Sequence, residues 1–245
     1  MTQSSNRPDA QLIPIRRGVD LPRRARDPRI DAFRGLALIM IIIDHMPGNP
    51  WEHLTIRNIG FSDAAEAFFI MSGIAAGIAY SPAIGRWMSG DLRLWDAVAP
   101  LWRRAWQLYI VHIVLTVAAI GLYAWAADTF VRSEFRVMHN LASLYEQTGA
   151  AMAGLVTLGY QIGYVNILPS YTVLLLAGPV LIAAVLYAPR TTLAVAGAFW
   201  VYAGATRLTI PNHPGGGGWF FNPLTWQFIF VIGLAIGVRH RKGER

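Results

Sequence analysis

The stretch RIDAFRGLALIMIIIDHMPGNP, residues 29–50, decides the fold. Its middle is an unbroken apolar run, and ionisable residues stand at both of its ends. A helix of about 20 apolar residues crosses the hydrocarbon core of a bilayer, which is about 30 Å thick. The pattern therefore predicts a membrane-spanning helix over Ile30–Met46, with charged groups at each membrane surface.

Five further apolar segments follow, predicted as spanning helices over Asp63–Tyr80, Leu101–Ala127, Ile167–Ala188, Thr191–Thr209 and Trp219–Val238. Only 14% of the 245 residues are charged and 54% are apolar, whereas soluble domains carry about 25% charged residues. We therefore predict an all-α fold, a polytopic integral membrane helical bundle with six transmembrane helices. Met152–Tyr160 is too short to span, and we expect a half-helix or surface segment there, within an outer loop over 128–166.

The basic residues give the predicted orientation. Of the 21 lysines and arginines, 17 fall in the first 34 residues, between the second and third apolar segments, in the gap at Arg190, or at the C-terminal end. In a six-span topology all of these lie on one side, which the positive-inside rule makes cytoplasmic. We predict a basic cytoplasmic tail over 1–28, a transmembrane domain over 29–239 and a second cytoplasmic tail over 240–245.

The same distribution bears on partners and chemistry. A nucleic-acid binder concentrates its positive charge on one helix or groove, so we expect the lipid bilayer as a partner and no nucleic acid. The chain has no cysteine, which excludes disulfides and thiolate catalysis. The histidines show no metal-ligand spacing, and we expect no metal site.

Arg34 and His45 are the main candidate functional residues, because ionisable groups in spanning segments are costly and are functional candidates by default. They are eleven residues apart, which on an α-helix is within about 20° of three full turns and about 16 Å along the axis. Both side chains are therefore predicted on one helix face, with the arginine near the cytoplasmic end and the imidazole deeper.

Acidic residues are predicted at the same depth as His45. Asp63 and Glu66 open the second segment and share a helix face, so either could orient the imidazole. Asp44 lies at that depth too, but points about 100° away from His45 on an ideal helix. Each residue also has a structural alternative: Asp44 and His45 could end the first helix, and Asp63 with Glu66 could form a capping box.

Three other features have structural interpretations. Gly73 and Gly77 have the spacing that lets helices pack closely. His112, alone in the third segment, is more typical of a core histidine than of a catalyst. Arg103 and Arg104 lie at the cytoplasmic end of that segment, where they could meet phosphates or extend to the membrane interface.

The sequence resembles the OpgC family of the membrane acyltransferase type 3 superfamily. The resemblance is carried by residues 29–50, by LTIRNIGFSDAAEAFFIMSG at 54–73, by GYVNILPSYTVLLLAGPVL at 163–181 and by GGWFFNPLTWQFIFVIGLAIG at 217–237. Arginine, ten residues and then histidine is the superfamily's characteristic spacing. Members of the family usually have about ten spanning helices, so this chain is expected to be short at its C-terminal end, either complete or truncated.

The resemblance implies a multi-pass enzyme of the bacterial inner membrane. It would transfer an acyl group, succinyl in this branch, from cytoplasmic acyl-CoA to a periplasmic glucan, with acyl-CoA as a co-substrate and no permanently bound cofactor. His45 would be the catalytic histidine and Arg34 the conserved arginine.

These residues can be assigned roles in an acyl-transfer mechanism. His45 would act as the general base on a glucan hydroxyl, oriented by Asp63 or Glu66. Arg34, with Arg103 or Arg104, would pair the CoA phosphates. Asn58, Ser72 and Tyr171 are possible oxyanion donors. Direct and covalent transfer both stay open, as do an O-acetyltransferase of another polysaccharide, a transporter component and a truncated, non-catalytic membrane protein.

Overall fold

The computed structural model describes residues 28–46, 48–60 and 62–243. Throughout these ranges the regular elements are helices, which confirms the predicted all-α class. An isolated bridge joins Pro211 to Gly218. The predicted tail over 1–28 lies outside the described residues except for Pro28, which begins the first helix.

The helices of the described residues are α1 (Pro28–Asp44), α2 (Ile56–Ile59), α3 (Ala64–Met88), α4 (Leu94–Thr129), α5 (Ala142–Glu146), α6 (Thr148–Val156), α7 (Ile167–Tyr187), α8 (Pro189–Ala205) and α9 (Pro223–Lys242). Short 3₁₀ turns occupy Pro50–Leu54, Ser133–Arg136 and Met138–Asn140. The predicted half-helix in the loop over 128–166 corresponds to α6.

Four of these helices, α3, α4, α7 and α9, are long and apolar enough to cross a membrane. The chain is therefore a helical membrane protein. Helices α1 and α8 have 17 residues each, which corresponds to about 25 Å at the rise of an α-helix. The count of six spans and the cytoplasmic position of both termini stay predictions.

Several helix bounds differ from the predicted segments. Helix α3 continues to Met88 rather than ending near Tyr80, and α4 begins at Leu94 rather than Leu101. Helix α9 runs on to Lys242, where Gly243 ends it in a left-handed conformation with φ of 79°. Basic side chains at the C-terminus of a helix interact favourably with its dipole, which explains why α9 extends into the predicted tail.

Glycines set the packing of α3 against α9. Gly73 and Gly77 of α3 face Gly233 and Gly237 of α9. A Cβ atom on Gly77 would lie 2.6 Å from the carbonyl oxygen of Leu234 and 3.1 Å from Cα of Gly237. This confirms the predicted packing role of the first pair and shows that a matching pair on α9 completes the contact.

The core is built around this helix pair. Helix α3 also contacts α1, α4 and α7, so it is the central helix of the bundle. Large side chains of these helices are fully buried between them, among them Phe69, Ile84, Leu101, Leu175 and Phe230.

Substitution of Gly77 by leucine tests the importance of this contact. We expect Gly77→Leu to destabilise the protein by at least about 2 kcal/mol, because the new side chain meets backbone atoms that cannot move aside cheaply. The measurement is the thermal midpoint of detergent-purified protein. Gly121→Leu is the control, since a Cβ at Gly121 meets no atom within 4 Å. Equal midpoints for the two variants would contradict the close contact.

Candidate functional site

A cleft of about 370 Å³ lies at the end of the bundle where α1 ends and where α3 and α7 begin. We refer to it as the distal cleft. Its polar lining residues are Asp44, His45, Arg57, Asp63, His139, Tyr164 and Asn166. The apolar part of the lining includes Ile41, Ile167, Phe220 and Phe221.

His45 is held by the last turn of α1. Its backbone N–H donates to the carbonyl oxygen of Ile41 at 3.2 Å, so the helical path continues to this residue. Its Nδ1 lies 2.6 Å from the same oxygen. A carbonyl oxygen can only accept, so Nδ1 carries the proton, and the neutral imidazole keeps its lone pair on Nε2. The ring also packs edge-on against Tyr164, with 4.7 Å between the ring centroids.

The predicted acidic partners have other hydrogen bonds. Asp44 Oδ1 accepts from the hydroxyl of Thr55 at 2.6 Å. Asp63 accepts from the backbone N–H groups of Ala65 and Glu66, while Glu66 Oε2 accepts from the backbone N–H of Asp63. This is the capping box given above as the structural alternative, and it begins α3.

The fold thus brings three of the predicted catalytic residues, His45, Asp44 and Asp63, into one cleft. Glu66 is turned toward the backbone of Asp63 and is not among the lining residues. Because Nδ1 of His45 pairs with a backbone carbonyl, a carboxylate is not needed to fix its tautomer. The orienting role of Asp63 or Glu66 stays a prediction.

Sequence reasoning missed four polar residues of the distal cleft. The ring of His139 lies 4.2 Å from that of Tyr164, on which His45 also packs. Burial, and secondarily the nearby His45, lower the pKa of His139 below its ordinary value. Arg57 and Asn166 complete the set.

The conformation of the cleft is strained at two of these residues. His139 has φ of 55° and Tyr164 has φ of 69°, in the left-handed region that side chains other than glycine rarely adopt. Two hydrogen bonds to backbone carbonyls hold the loop around them. Gly163 N–H donates to the carbonyl of His139 at 2.9 Å, and the hydroxyl of Tyr160 donates to the carbonyl of Asn140 at 2.5 Å. Such strain persists only where the surroundings hold it in place.

Three of the four missed residues carried a signal in the sequence. Tyr164 and Asn166 lie in the stretch GYVNILPS, which is part of the family resemblance, and Arg57 lies in LTIRNIG. His139 had none, since it is a single histidine in a long loop.

A second polar cluster lies deeper in the bundle, around Tyr171. Its side chain is 5% exposed, and its hydroxyl lies within electrostatic range of Arg34 and Arg104. Arg104 acts in the same way on Tyr80. Ser72 also faces Tyr171, although its oxygen has no partner at normal hydrogen-bond length. We refer to these residues as the arginine cluster.

The sequence does not distinguish the roles of Arg103 and Arg104, but the structure shows a difference between them. The charge of Arg104 acts on buried Tyr171 and on part-buried Tyr80, whereas Arg103 is not among the charges acting on either. Helix α1 connects this cluster to the distal cleft. Its inward face carries Arg34, then Ala37, which is 4% exposed, then Ile41, which packs on the core.

The other candidates lie outside the distal cleft. Asn58 donates to the carbonyl of Glu52, and Ser72 and Tyr171 belong to the arginine cluster. His112 is fully buried, with Nδ1 3.4 Å from the hydroxyl of Thr116, and its Nε2 has no hydrogen-bond partner among the described residues.

The architecture and the two polar clusters describe a polytopic helical membrane protein. It has a histidine in a cleft at one end and, deeper in the bundle, an arginine on α1 and another on α4 whose charges act on a buried tyrosine. A sequence model of the OpgC protein family matches residues 26–245. The chain therefore belongs to the OpgC family, which supports a membrane acyltransferase-type role in glucan modification. No curated protein and no solved structure gives a significant match.

The two roles of Asp63 can be separated by substitution. We expect Asp63→Ala to lower the free energy of unfolding by about 1 kcal/mol, because the α3 N-cap is lost. Asp63→Asn should leave stability nearly unchanged, since asparagine is as good an N-cap. Thermal midpoints of the purified variants measure this difference. Equal destabilisation by both substitutions would show that the negative charge, rather than the cap, is what matters.

Proposed function

We propose that this protein is an acyltransferase of the bacterial inner membrane that transfers a succinyl group from cytoplasmic acyl-CoA to a hydroxyl of a periplasmic glucan, with His45 as general base. The observation that supports it best is the hydrogen bond from Nδ1 of His45 to the carbonyl of Ile41. It leaves Nε2 of a cleft-lining imidazole free to accept a proton, as a general base requires.

The reaction is a direct displacement on the thioester. Nε2 of His45 takes the proton of the glucan hydroxyl as its oxygen attacks the thioester carbonyl. The tetrahedral intermediate then collapses, the C–S bond breaks, and the thiolate of CoA takes the proton from the imidazolium. The products are a glucan ester and free CoA, and the base is regenerated.

The negative charge on the carbonyl oxygen of the intermediate needs a hydrogen-bond donor. Asn166 suits this role, because it lines the distal cleft with His45 and its side chain makes no hydrogen bond among the described residues. Its amide is therefore available to a substrate. It replaces Asn58, Ser72 and Tyr171 as the proposed oxyanion donor.

The arginine cluster is proposed to bind the phosphates of CoA. The charges of Arg34 on α1 and Arg104 on α4 both act on buried Tyr171, and guanidinium groups are strong phosphate ligands. The eleven-residue separation of Arg34 from His45 is about 16 Å along α1. A long, thin pantetheine arm can follow this distance and bring the thioester to His45.

Loss of the base tests the catalytic assignment. We expect His45→Gln to lower transfer of labelled succinate from succinyl-CoA to a β-glucan in purified membranes by about 100-fold to 10,000-fold, the usual contribution of a general base. His53→Gln is the matched control, because His53 is an exposed neighbour that does not line the cleft.

Other outcomes of that assay distinguish the alternatives. Full activity of His45→Gln would disprove the assignment of His45 as the general base. Transfer from acetyl-CoA but not succinyl-CoA would indicate an O-acetyltransferase. Solute flux in vesicles without acyl-CoA, and no transfer from either donor, would indicate a transporter component.

Substitution of Arg104 tests the CoA assignment. We expect Arg104→Gln to raise the KM for succinyl-CoA at least about tenfold with little change in kcat, because one charge-assisted hydrogen bond to phosphate is lost. Arg103→Gln should change KM less, since Arg103 is not among the charges that act on Tyr171 or Tyr80. A larger increase in KM for Arg103→Gln than for Arg104→Gln would assign the phosphate contact to Arg103 instead.

A further inference from the structure

Arg57 is a cation in the distal cleft that the mechanism above does not use. It lies in α2, and its exposed side chain lines the cleft together with His45. Among the described residues its guanidinium makes no hydrogen bond and no ion pair. It therefore remains available to a ligand.

The backbone around Arg57 is fixed relative to His45. Thr55, two residues before Arg57, is 2% exposed and donates its hydroxyl to Asp44, the residue preceding His45. The N–H of Asn58 donates to the carbonyl of Thr55 at 3.1 Å. These bonds connect α2 to the end of α1, so the arginine and the proposed base belong to one local structure.

The other charges of the cleft do not neutralise Arg57. Asp44 accepts from the hydroxyl of Thr55, and Asp63 accepts from two N–H groups at the start of α3. The N-termini of α3 and α7 both border the cleft, and the N-terminus of a helix carries a partial positive charge. These partial charges offset the two carboxylates.

A guanidinium in the same cleft as the proposed base gives no binding advantage to an acetyl group, which is uncharged. A dicarboxylic acyl group attached as a thioester keeps a second, ionised carboxylate a few bonds from the reacting carbonyl. A guanidinium binds such a carboxylate through two parallel hydrogen bonds.

Resting on the proposed function, we propose that Arg57 binds the free carboxylate of the acyl group and thereby selects a succinyl donor over an acetyl donor. Arg57 would then be a specificity-determining residue, distinct from the base at His45 and from the phosphate ligands of the arginine cluster. The inference also assigns the distal cleft to both the acyl group and the acceptor hydroxyl.

The test compares two donors in three proteins. The kcat/KM values for succinyl-CoA and acetyl-CoA are measured with a β-glucan acceptor for the wild type, for Arg57→Gln and for Arg132→Gln. The last is the control, because Arg132 is an exposed arginine paired with Glu134 that does not line the cleft.

We expect Arg57→Gln to lower kcat/KM for succinyl-CoA by about tenfold to hundredfold, the effect of losing a charge-assisted pair, and to leave acetyl-CoA within about threefold. Arg132→Gln should keep the wild-type ratio. Arg57→Lys, which retains the charge but not the two parallel bonds, should have an intermediate ratio. The Arg57→Lys variant also allows the comparison to be made if Arg57→Gln gives too little folded protein.

Failure of the proposed function and failure of the Arg57 inference give different experimental results. Wild-type protein that transfers from neither donor, and binds neither in a competition assay with labelled succinyl-CoA, overturns the proposed function and this inference with it. Wild-type activity with an equal loss for both donors in Arg57→Gln means that Arg57 contacts the acceptor. That result, or no loss at all, overturns the inference alone.

Discussion

The close approach of α3 and α9 is the constraint on which the rest of the structure depends. Their backbones meet at glycines on both helices, and any side chain there would meet backbone atoms. Van der Waals packing drives helix association in a membrane, because lipid is as apolar as the helix surfaces. Since α3 also contacts α1, α4 and α7, this contact fixes the central helix against which the others pack. The N-cap of this helix, Asp63, and its first residue, Ala64, line the distal cleft.

The polar groups of the bundle form two clusters, one at an end of the bundle and one deeper inside it. At one end, His45 and its neighbours line an open cleft between helix termini. Further along α1, the charge of Arg34 acts on buried Tyr171, as does the charge of Arg104. Ionisable groups are tolerated in a membrane protein where they face each other or a polar cavity. This arrangement suits two polar substrates that approach from different sides, as the proposed reaction requires.

The sequence predicted the helical membrane fold because length and hydropathy alone determine which segments span a bilayer. It also predicted that Arg34 and His45 share a face of one helix, since that follows from helical periodicity. It could not identify the partner of Gly73 and Gly77, which lies far along the chain at Gly233 and Gly237. Nor could it bring His139 and Tyr164 to the cleft, because left-handed backbone at both residues depends on contacts within the long loop.

Side-chain hydrogen bonds were the least predictable part. Carboxylates near His45 suggested an orienting partner, but the carboxylates accept from a hydroxyl and from the start of α3, and the imidazole donates to Ile41. That last bond has an evolutionary consequence. A backbone carbonyl is present whatever residue occupies position 41, so substitution cannot remove the acceptor that sets the imidazole tautomer. Under the proposed mechanism, the residues around His45 can therefore diverge, and other acceptors can be accommodated by changing the walls of the cleft while Nε2 keeps its place.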